Sequence, residues 1–374
     1  METEDQNTGL YIHIPFCLQK CPYCDFVSFD NRIFYADDYI GALAGELNYY
    51  ASNFGTKFST LFIGGGTPAC LTEKQLDYLF SVIYRAAPKK GFREITIEAN
   101  PETVTEKKAR VLAANVNRVS LGAQSFNDNR LKILGRAHSA AKTKDAVSIL
   151  KNNGIENINL DLMFGIPGQK TEGVIRDIET AAGLSPAHIS FYMLTLNPKS
   201  SYAKFVTIPE EGVLADMYLK GVEKLETEGF FRYEISNFAK PGKKCAHNLN
   251  YWGGGRYAGL GVSASSYFNG ERFSNTCSIE EYIKRIKRGH DPAEIKEKIT
   301  GEKALKEYIM LALRKTQGVN LYEFKEKFGF DFAAKYSKII ENAKGRGLMK
   351  TEENRVCLTR KGMLFSNSVI KEFF

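Results

Sequence analysis

The sequence predicts an α/β protein: an open, partial (β/α)6 barrel followed by a mostly helical, winged-helix-like C-terminal domain. Three observations predict it. Strand-like and helix-like runs alternate six times in the first two hundred residues, as a parallel sheet requires. Polar and glycine residues gather at the C-terminal ends of the strand-like runs, the rim where parallel barrels carry their chemistry. From about residue 278 the chain reads as helical, broken by a hairpin signal.

The elements follow in order. "GLYIHIPF" (9–16) is a strand, and the helical run "DDYIGALAGELNYYASNF" follows it. "STLFIGGG" is a strand ending in glycines, before a helix with Thr72 as N-cap. "EITIEANP", "RVSLGAQS", "NINLDLMFG" and "HISFYMLTL" are further strands, with helices expected at "TEKKARVLAAN" (105–115) and near 127–153 and 171–183. Six units are too few to close an eight-stranded barrel, so the mouth is expected to stay open. We divide the chain into a barrel core (1–205), a Gly- and Tyr-rich segment expected to cover the mouth (206–277), and a helical domain (278–374). In the last, "GLMKTEENRVCLTRKG" supplies the hairpin of a winged-helix-like unit used for docking.

Composition excludes several classes. The 374 residues include 43% hydrophobic and 25% charged, an ordinary globular profile. The net charge of +8 is spread along the chain, and "KRIKRG" (284–289) reads as a solvated helix face. No nucleic acid is expected as a partner. The acidic start "METEDQNTG" lacks the parts of a signal peptide, and no apolar run spans a bilayer. Seven cysteines, three of them within eight residues, do not form a secreted disulfide framework, so a reducing cytoplasm is expected.

Those three, Cys17, Cys21 and Cys24 in "CLQKCPYC", carry the chemistry. A structural zinc site with His13 as fourth ligand is one reading. Three unrelated buried cysteines are a second, poor at this density, and a [4Fe–4S] cluster held by three thiolates, with one iron open to another ligand, is the third. The motif resembles the CxxxCxxC signature of the radical S-adenosylmethionine superfamily, and "GGGTP" (64–68) after a strand strengthens the likeness. That resemblance implies a cluster whose open iron binds S-adenosylmethionine and whose electron cleaves it to a 5′-deoxyadenosyl radical. "LYIHIPFC", "LFIGGGTP", "IEANPE", "RVSLGAQSF", "LGRAH" and "NLDLMFGIPGQ" narrow it to the oxygen-independent coproporphyrinogen III dehydrogenase group. The resemblance implies that Tyr11, Tyr23, Gly65, Gly66, Thr67, Glu98, Gln124, Arg136 and Asp161 line the S-adenosylmethionine site.

That group holds two classes: a dehydrogenase that decarboxylates porphyrinogen propionates, and a haem chaperone serving respiratory haem proteins. Three features point to the chaperone branch. Phe26 stands where the dehydrogenase pattern CxxxCxxCxC has its last cysteine. Sixteen residues precede Cys17, fewer than the dehydrogenases carry. "HNLNYW" (247–252) matches the HNxxYW motif of the chaperones. His247 is then a candidate haem ligand, the alternative being a histidine hydrogen-bonded in a Gly-rich loop. Asn197 departs from the acidic residue that chaperones usually show there. The expected partners are haem or a porphyrinogen, an electron donor, and acceptor haem proteins, some at the membrane.

Overall fold

Six parallel strands, hydrogen-bonded in chain order, form the centre of the computed structural model, which describes residues 8–54, 57–198 and 202–374. They are β1 (Thr8–Ile14), β2 (Phe58–Gly65), β3 (Glu94–Ala99), β4 (Arg118–Gln124), β5 (Ile158–Phe164) and β6 (His188–Met193). The connecting helices are α1 (Ala36–Phe54), α2 (Glu73–Ala86), α3 (Glu106–Asn115), α4 (Asp128–Ile133), α5 (Ala140–Asn152) and α6 (Thr171–Gly183). After β6 comes α7 (Glu211–Thr227), which completes the six units. Thr72 caps α2 as the sequence predicts: its hydroxyl accepts from Gln75 N–H while the Gln75 side chain accepts from Thr72 N–H.

Strand parity decides what faces where. Ile12, Ile63, Ile97, Leu121, Leu160 and Ile189 are at most 1% exposed and pack with Leu43, Leu79, Leu112 and Ile178 of the helices. The alternate positions (Tyr11, Phe62, Glu98, Ser120, Asp161, Ser190) turn into the bore. The bore is therefore polar, and Asn159 ties several of its groups together. Asn159 donates to Ser120 Oγ (2.7 Å) and Asp161 Oδ1 (2.8 Å), and accepts from His188 Nδ1 (2.6 Å) and Ser190 Oγ (3.1 Å).

The expectation that residues 206–277 cover the mouth is corrected by the structure. A partial barrel has two free sheet edges whose N–H and C=O groups need partners. This segment supplies them. β7 (Phe231–Arg232) and β8 (Asn237–Ala239) extend the sheet beyond β6, while β9 (Tyr257–Leu260) pairs in parallel with β1. β10 (Ser265–Phe268), β11 (Glu271–Asn275) and β12 (Ala293–Lys298) continue outward from β9. The seven-residue helix α8 (Ala246–Trp252) closes the opposite end of the barrel, its floor. The domain boundary at 278 also shifts. α9 (Ile279–Lys287) packs on α1 and β12 belongs to the large sheet, so the helical domain starts at α10 (Gly301–Arg314). That domain has its own core around Ile309, Phe324, Phe332 and Val356, and a sheet of β13 (Val319–Asn320), β14 (Met349–Glu352) and β15 (Arg355–Leu358). Its Thr316 N–H donates to Tyr233 O (3.1 Å), and the Arg314 guanidinium lies 5.7 Å over the Trp252 ring, so it docks beneath the floor. Among the described residues no helix is long and apolar enough to cross a membrane.

Glu94, at the start of β3, anchors the floor. Its carboxyl oxygens accept from Ala246 N–H (2.6 Å), His247 N–H (3.1 Å) and Cys245 Sγ (3.2 Å), which satisfies the free donors at the start of α8. Hydrogen bonds to a charged acceptor contribute about 1.5–3 kcal/mol each, and the buried Arg118 beside Glu94 would lose a neighbouring negative charge. Glu94→Leu is expected to lower the unfolding free energy by about 3 kcal/mol or more, read as an earlier denaturant midpoint. Glu94→Gln should cost less, because one acceptor remains. An unmoved midpoint in Glu94→Leu would remove Glu94 as the anchor.

Candidate cofactor site

The cysteines sit on a loop pinned at its neck. Cys17 N–H donates to Phe29 O (3.0 Å) and Phe29 N–H to Pro15 O (2.8 Å), so residues 17–28 bulge from the end of β1 and return to it. Inside the loop Cys24 N–H donates to Cys21 O (3.1 Å) and Lys20 Nζ to Ser28 O (3.0 Å). His13 supports the return from below. Its Nε2–H donates to Val27 O (2.8 Å) and its Nδ1 accepts from Tyr11 OH (3.0 Å). Both ring nitrogens are thereby used, which removes His13 as the fourth ligand of a zinc site. Among the described residues no three His, Cys, Asp or Glu side chains converge on one ion. The three half-buried thiols instead border a volume.

That volume is a cavity of about 410 Å³, in the range of a small-cofactor site. Cys17, Cys21, Tyr23, Cys24, Gly65, Gly66, Thr67, Glu98, Gln124, Arg136 and Asp161 all line it. Tyr11 does not. It lies deeper in the bore, stacked on Phe62 at 6.2 Å, with its hydroxyl committed to His13. His247 is also elsewhere. It is 1% exposed on the floor helix, with Nδ1 bonded to Thr60 Oγ1 (2.8 Å) and Nε2 to Tyr251 OH (3.0 Å). Burial holds its imidazole down at about 3, so it is neutral. The HNxxYW motif here builds a floor, and its histidine has no nitrogen to offer a metal in this conformation. Thr60 and Glu94, its contacts, start their strands, whereas Gly65 and Glu98 end theirs.

The turn at Gly66 explains the glycine run. A Cβ there would stand 2.5 Å from Phe16 O and 3.1 Å from Cys17 Sγ, so only glycine lets β2 approach the cysteine loop. Gln124 adopts φ 62 at the end of β4, a strained conformation for a residue with a side chain, of the kind that clusters at functional sites. Arg136 reaches in from the turn after α4. It donates through Nη2 to Asn100 Oδ1 (2.6 Å) and Gly122 O (3.1 Å), and through Nη1 to Cys21 Sγ (3.4 Å). Its Nε–H is buried without a partner. Asn100, Gly122 and Met163 are cavity residues that the motifs did not single out. Asn100 could have been read from "EANPE", where it follows Glu98 by two and so shares its face.

These residues fit the groups that the sequence implies. Three soft sulfur donors border the cavity beside a guanidinium, and burial pushes the Cys17 and Cys24 thiols up, so a bound cluster would displace their protons. Glu98, burdened by burial and by the nearby Asp161 charge, is pushed up to about 7. A cationic ammonium in the cavity would relieve that repulsion, and the unpartnered Arg136 Nε–H suits a carboxylate.

Two expectations follow. At Gly135 (φ 65) a Cβ would meet Pro22 Cδ at 2.7 Å, and Gly135 O accepts from the Gln19 amide (3.2 Å). Gly135→Val should push the cysteine loop outward and reduce iron and sulfide bound after anaerobic reconstitution, with the far-UV circular dichroism unchanged; full loading would refute it. Glu98 binds its proton more tightly folded than unfolded between pH 4.5 and about 7, so its ionisation destabilises the fold as pH rises through that window. Glu98→Gln should therefore gain about 1–3 kcal/mol over wild type at pH 8 and little at pH 4. Denaturant unfolding at the two pH values checks this, and equal gains at both would discard it.

Comparison with known proteins agrees with this geometry. Residues 11–181 match the family model of the radical SAM superfamily, and residues 299–365 that of the HemN C-terminal domain. The heme chaperone HemW of Bacillus subtilis (strain 168) is 37% identical over 371 residues, covering 97% of this chain and 98% of the relative. That of Escherichia coli (strain K12) is 41% identical over 261 residues, or 68% of this chain and 69% of the relative. The coproporphyrinogen III oxidase HemN of Escherichia coli, a radical SAM enzyme, superposes with a TM-score of 0.87 at 22% identity, covering 99% of this chain and 91% of that one. That likeness shows the shared fold.

Proposed function

For a chain that belongs to the heme chaperone HemW family of the radical SAM superfamily, we propose that it carries haem as cargo and passes it to acceptor haem proteins, some of them at the membrane. The observation that carries the reading is Phe26. It stands on the cysteine loop where the dehydrogenase pattern has a further cysteine, lines the cavity, and is 70% exposed. A phenyl ring at the opening supplies apolar surface instead of another thiolate. The full-length identity to chaperones supports the same choice.

The cofactors we propose are a [4Fe–4S] cluster on Cys17, Cys21 and Cys24, and S-adenosylmethionine beside it. When bound, they supply one-electron reductive chemistry and need an electron donor. The chain's own groups orient and shield them. Arg136 and the Gly65–Thr67 turn hold the cysteine side of the cavity, Glu98 and Asp161 offer acceptors to an ammonium and ribose hydroxyls, and Tyr23 and Met163 border it with apolar surface. We place the protein in the cytoplasm, and the seven unpaired cysteines support a reducing compartment. A second reading, oxidative decarboxylation of coproporphyrinogen III, rests on the same S-adenosylmethionine lining, which the resemblance gives to both classes of the group.

The deciding experiment is an anaerobic assay of reconstituted protein with S-adenosylmethionine, reductant and coproporphyrinogen III, followed by mass spectrometry, beside a haem titration. Intact porphyrinogen together with saturable haem binding is expected. Loss of two carboxyl groups from the porphyrinogen would overturn the chaperone reading in favour of the enzyme.

A further inference from the structure

We propose that His138 and Glu102, sharing one proton, are the positioning pair that holds Gln124 and Arg136 in place for S-adenosylmethionine. This rests on the cofactor reading and names residues that serve the cavity without lining it.

Gln124 stands on a turn that needs support. Its φ is 62, and Ser125 N–H donates across it to Ala123 O (2.8 Å). Such a three-residue turn is rare and strained, and it persists only where its surroundings hold it. Beyond it, Asp177 accepts from Ser125 Oγ and Phe126 N–H (2.8 Å each). On the near side, His138 Nε2–H donates to the same Ala123 O (3.2 Å). The turn brings the Gln124 amide beside Arg136. A Cβ at Gly122 would stand 2.7 Å from Asn100 Oδ1, 3.1 Å from Gln124 Nε2 and 3.3 Å from Arg136 Nη2. Three polar groups of the cavity thus converge over one bare backbone position.

The turn after α4 grips both sides of that cluster. From it Arg136 reaches the Asn100 side chain and Gly122 O. Two residues on, His138 reaches the Glu102 carboxylate through Nδ1 (3.1 Å) and Ala123 O through Nε2. The two side chains therefore tie the same two segments, 100–102 after β3 and 122–123 in β4. Arg136 does so in the cavity; the His138 side chain, 0% exposed, does so outside it.

Both nitrogens of that ring face acceptors. A carbonyl only accepts, so Nε2 carries hydrogen. At Nδ1 a second lone pair would face a carboxylate oxygen, so a proton lies there as well. Burial works against the Glu102 charge, but the His138 hydrogen bond and the Arg136 guanidinium hold its carboxyl below the usual range. His138 is therefore an imidazolium paired with a carboxylate. The other buried histidines differ: His13, His188 and His247 each meet a hydroxyl, which can donate to a neutral ring. A charge-assisted bond kept from water is of the strong kind, which suits the restraint of a strained turn.

The test uses the full chain, reconstituted anaerobically. Equilibrium dialysis reads S-adenosylmethionine binding, beside iron and sulfide content and the denaturant midpoint. His138→Leu is expected to weaken binding about tenfold or more with the cluster retained. Ala123 O keeps Ser125 N–H as a partner, so the variant should fold. Glu102→Leu, at a partly exposed side chain, should weaken binding likewise. Glu102→Gln should bind close to wild type, because its amide can donate to Nδ1 of a neutral ring. Selective 15N labelling of the five histidines in the unloaded chain supplies a second readout. His138 should carry hydrogen on both nitrogens in wild type and on Nε2 alone in Glu102→Gln. Wild-type affinity in His138→Leu and Glu102→Leu would overturn the positioning role while leaving the cofactor reading standing. Affinity lost only in proportion to lost iron and sulfide would overturn it too, as would a neutral His138 in the wild-type chain. Absence of S-adenosylmethionine binding by the wild-type chain with its cluster loaded would bring down the cofactor reading and this pair with it.

Discussion

A barrel with a polar bore needs hydrogen-bond partners for its buried groups, and one chain of bonds supplies them from the floor to the cavity. Cys245 N–H on the floor donates to Tyr233 OH (3.3 Å), Tyr233 OH donates to His188 Nε2 (2.8 Å), and His188 Nδ1–H donates to Asn159 Oδ1 (2.6 Å). Asn159 then donates to Asp161, which lines the cavity. Each member has one consistent donor and acceptor assignment, with a neutral histidine that burial favours. The chain fixes Asp161 from beneath and ties the cofactor side of the barrel to its floor.

The cysteine loop depends on close contact rather than on a large core of its own. Gly66 admits β2 against Cys17, and Gly135 admits the Arg136 turn against Pro22. The same turn delivers a guanidinium to Cys21. Two elements far apart in sequence thus hold the loop, while Tyr39 OH donates to His13 O (2.8 Å) and steadies the end of β1. This leaves the thiols facing one cavity without crowding them, the condition for holding a cluster with an open iron.

The two ends of the barrel have different work. The mouth gathers the sulfur, carboxyl and guanidinium groups and keeps apolar side chains exposed around them. The floor is sealed by α8, by the Glu94 carboxyl group and by the docked C-terminal domain. Closing one end so firmly leaves the other as the natural route for ligands. It also gives the C-terminal domain a structural use, consistent with a winged-helix-like unit that docks on protein.

By itself the sequence determined the six βα units, the α2 cap, the cysteine triad and the strand-end part of the cavity lining. Strand parity, helix caps and glycine spacing are local rules, and Glu98, Gln124 and Asp161 lie at strand ends that those rules place on one rim. What only the tertiary structure decided was the fate of side chains whose partners are distant. Nothing near His247 in sequence shows that Thr60 takes its Nδ1, or that Glu94 takes its N–H, since these contacts span 187 and 153 residues. Residues 206–277 read as a lid because their composition marks short strands, but composition does not say which sheet edges need them. Tyr11 shares bore-facing parity with residues that line the cavity but sits too deep to join them, a question of height along the barrel. Local periodicity fixes the face a residue presents; long-range pairing fixes its depth and its partners.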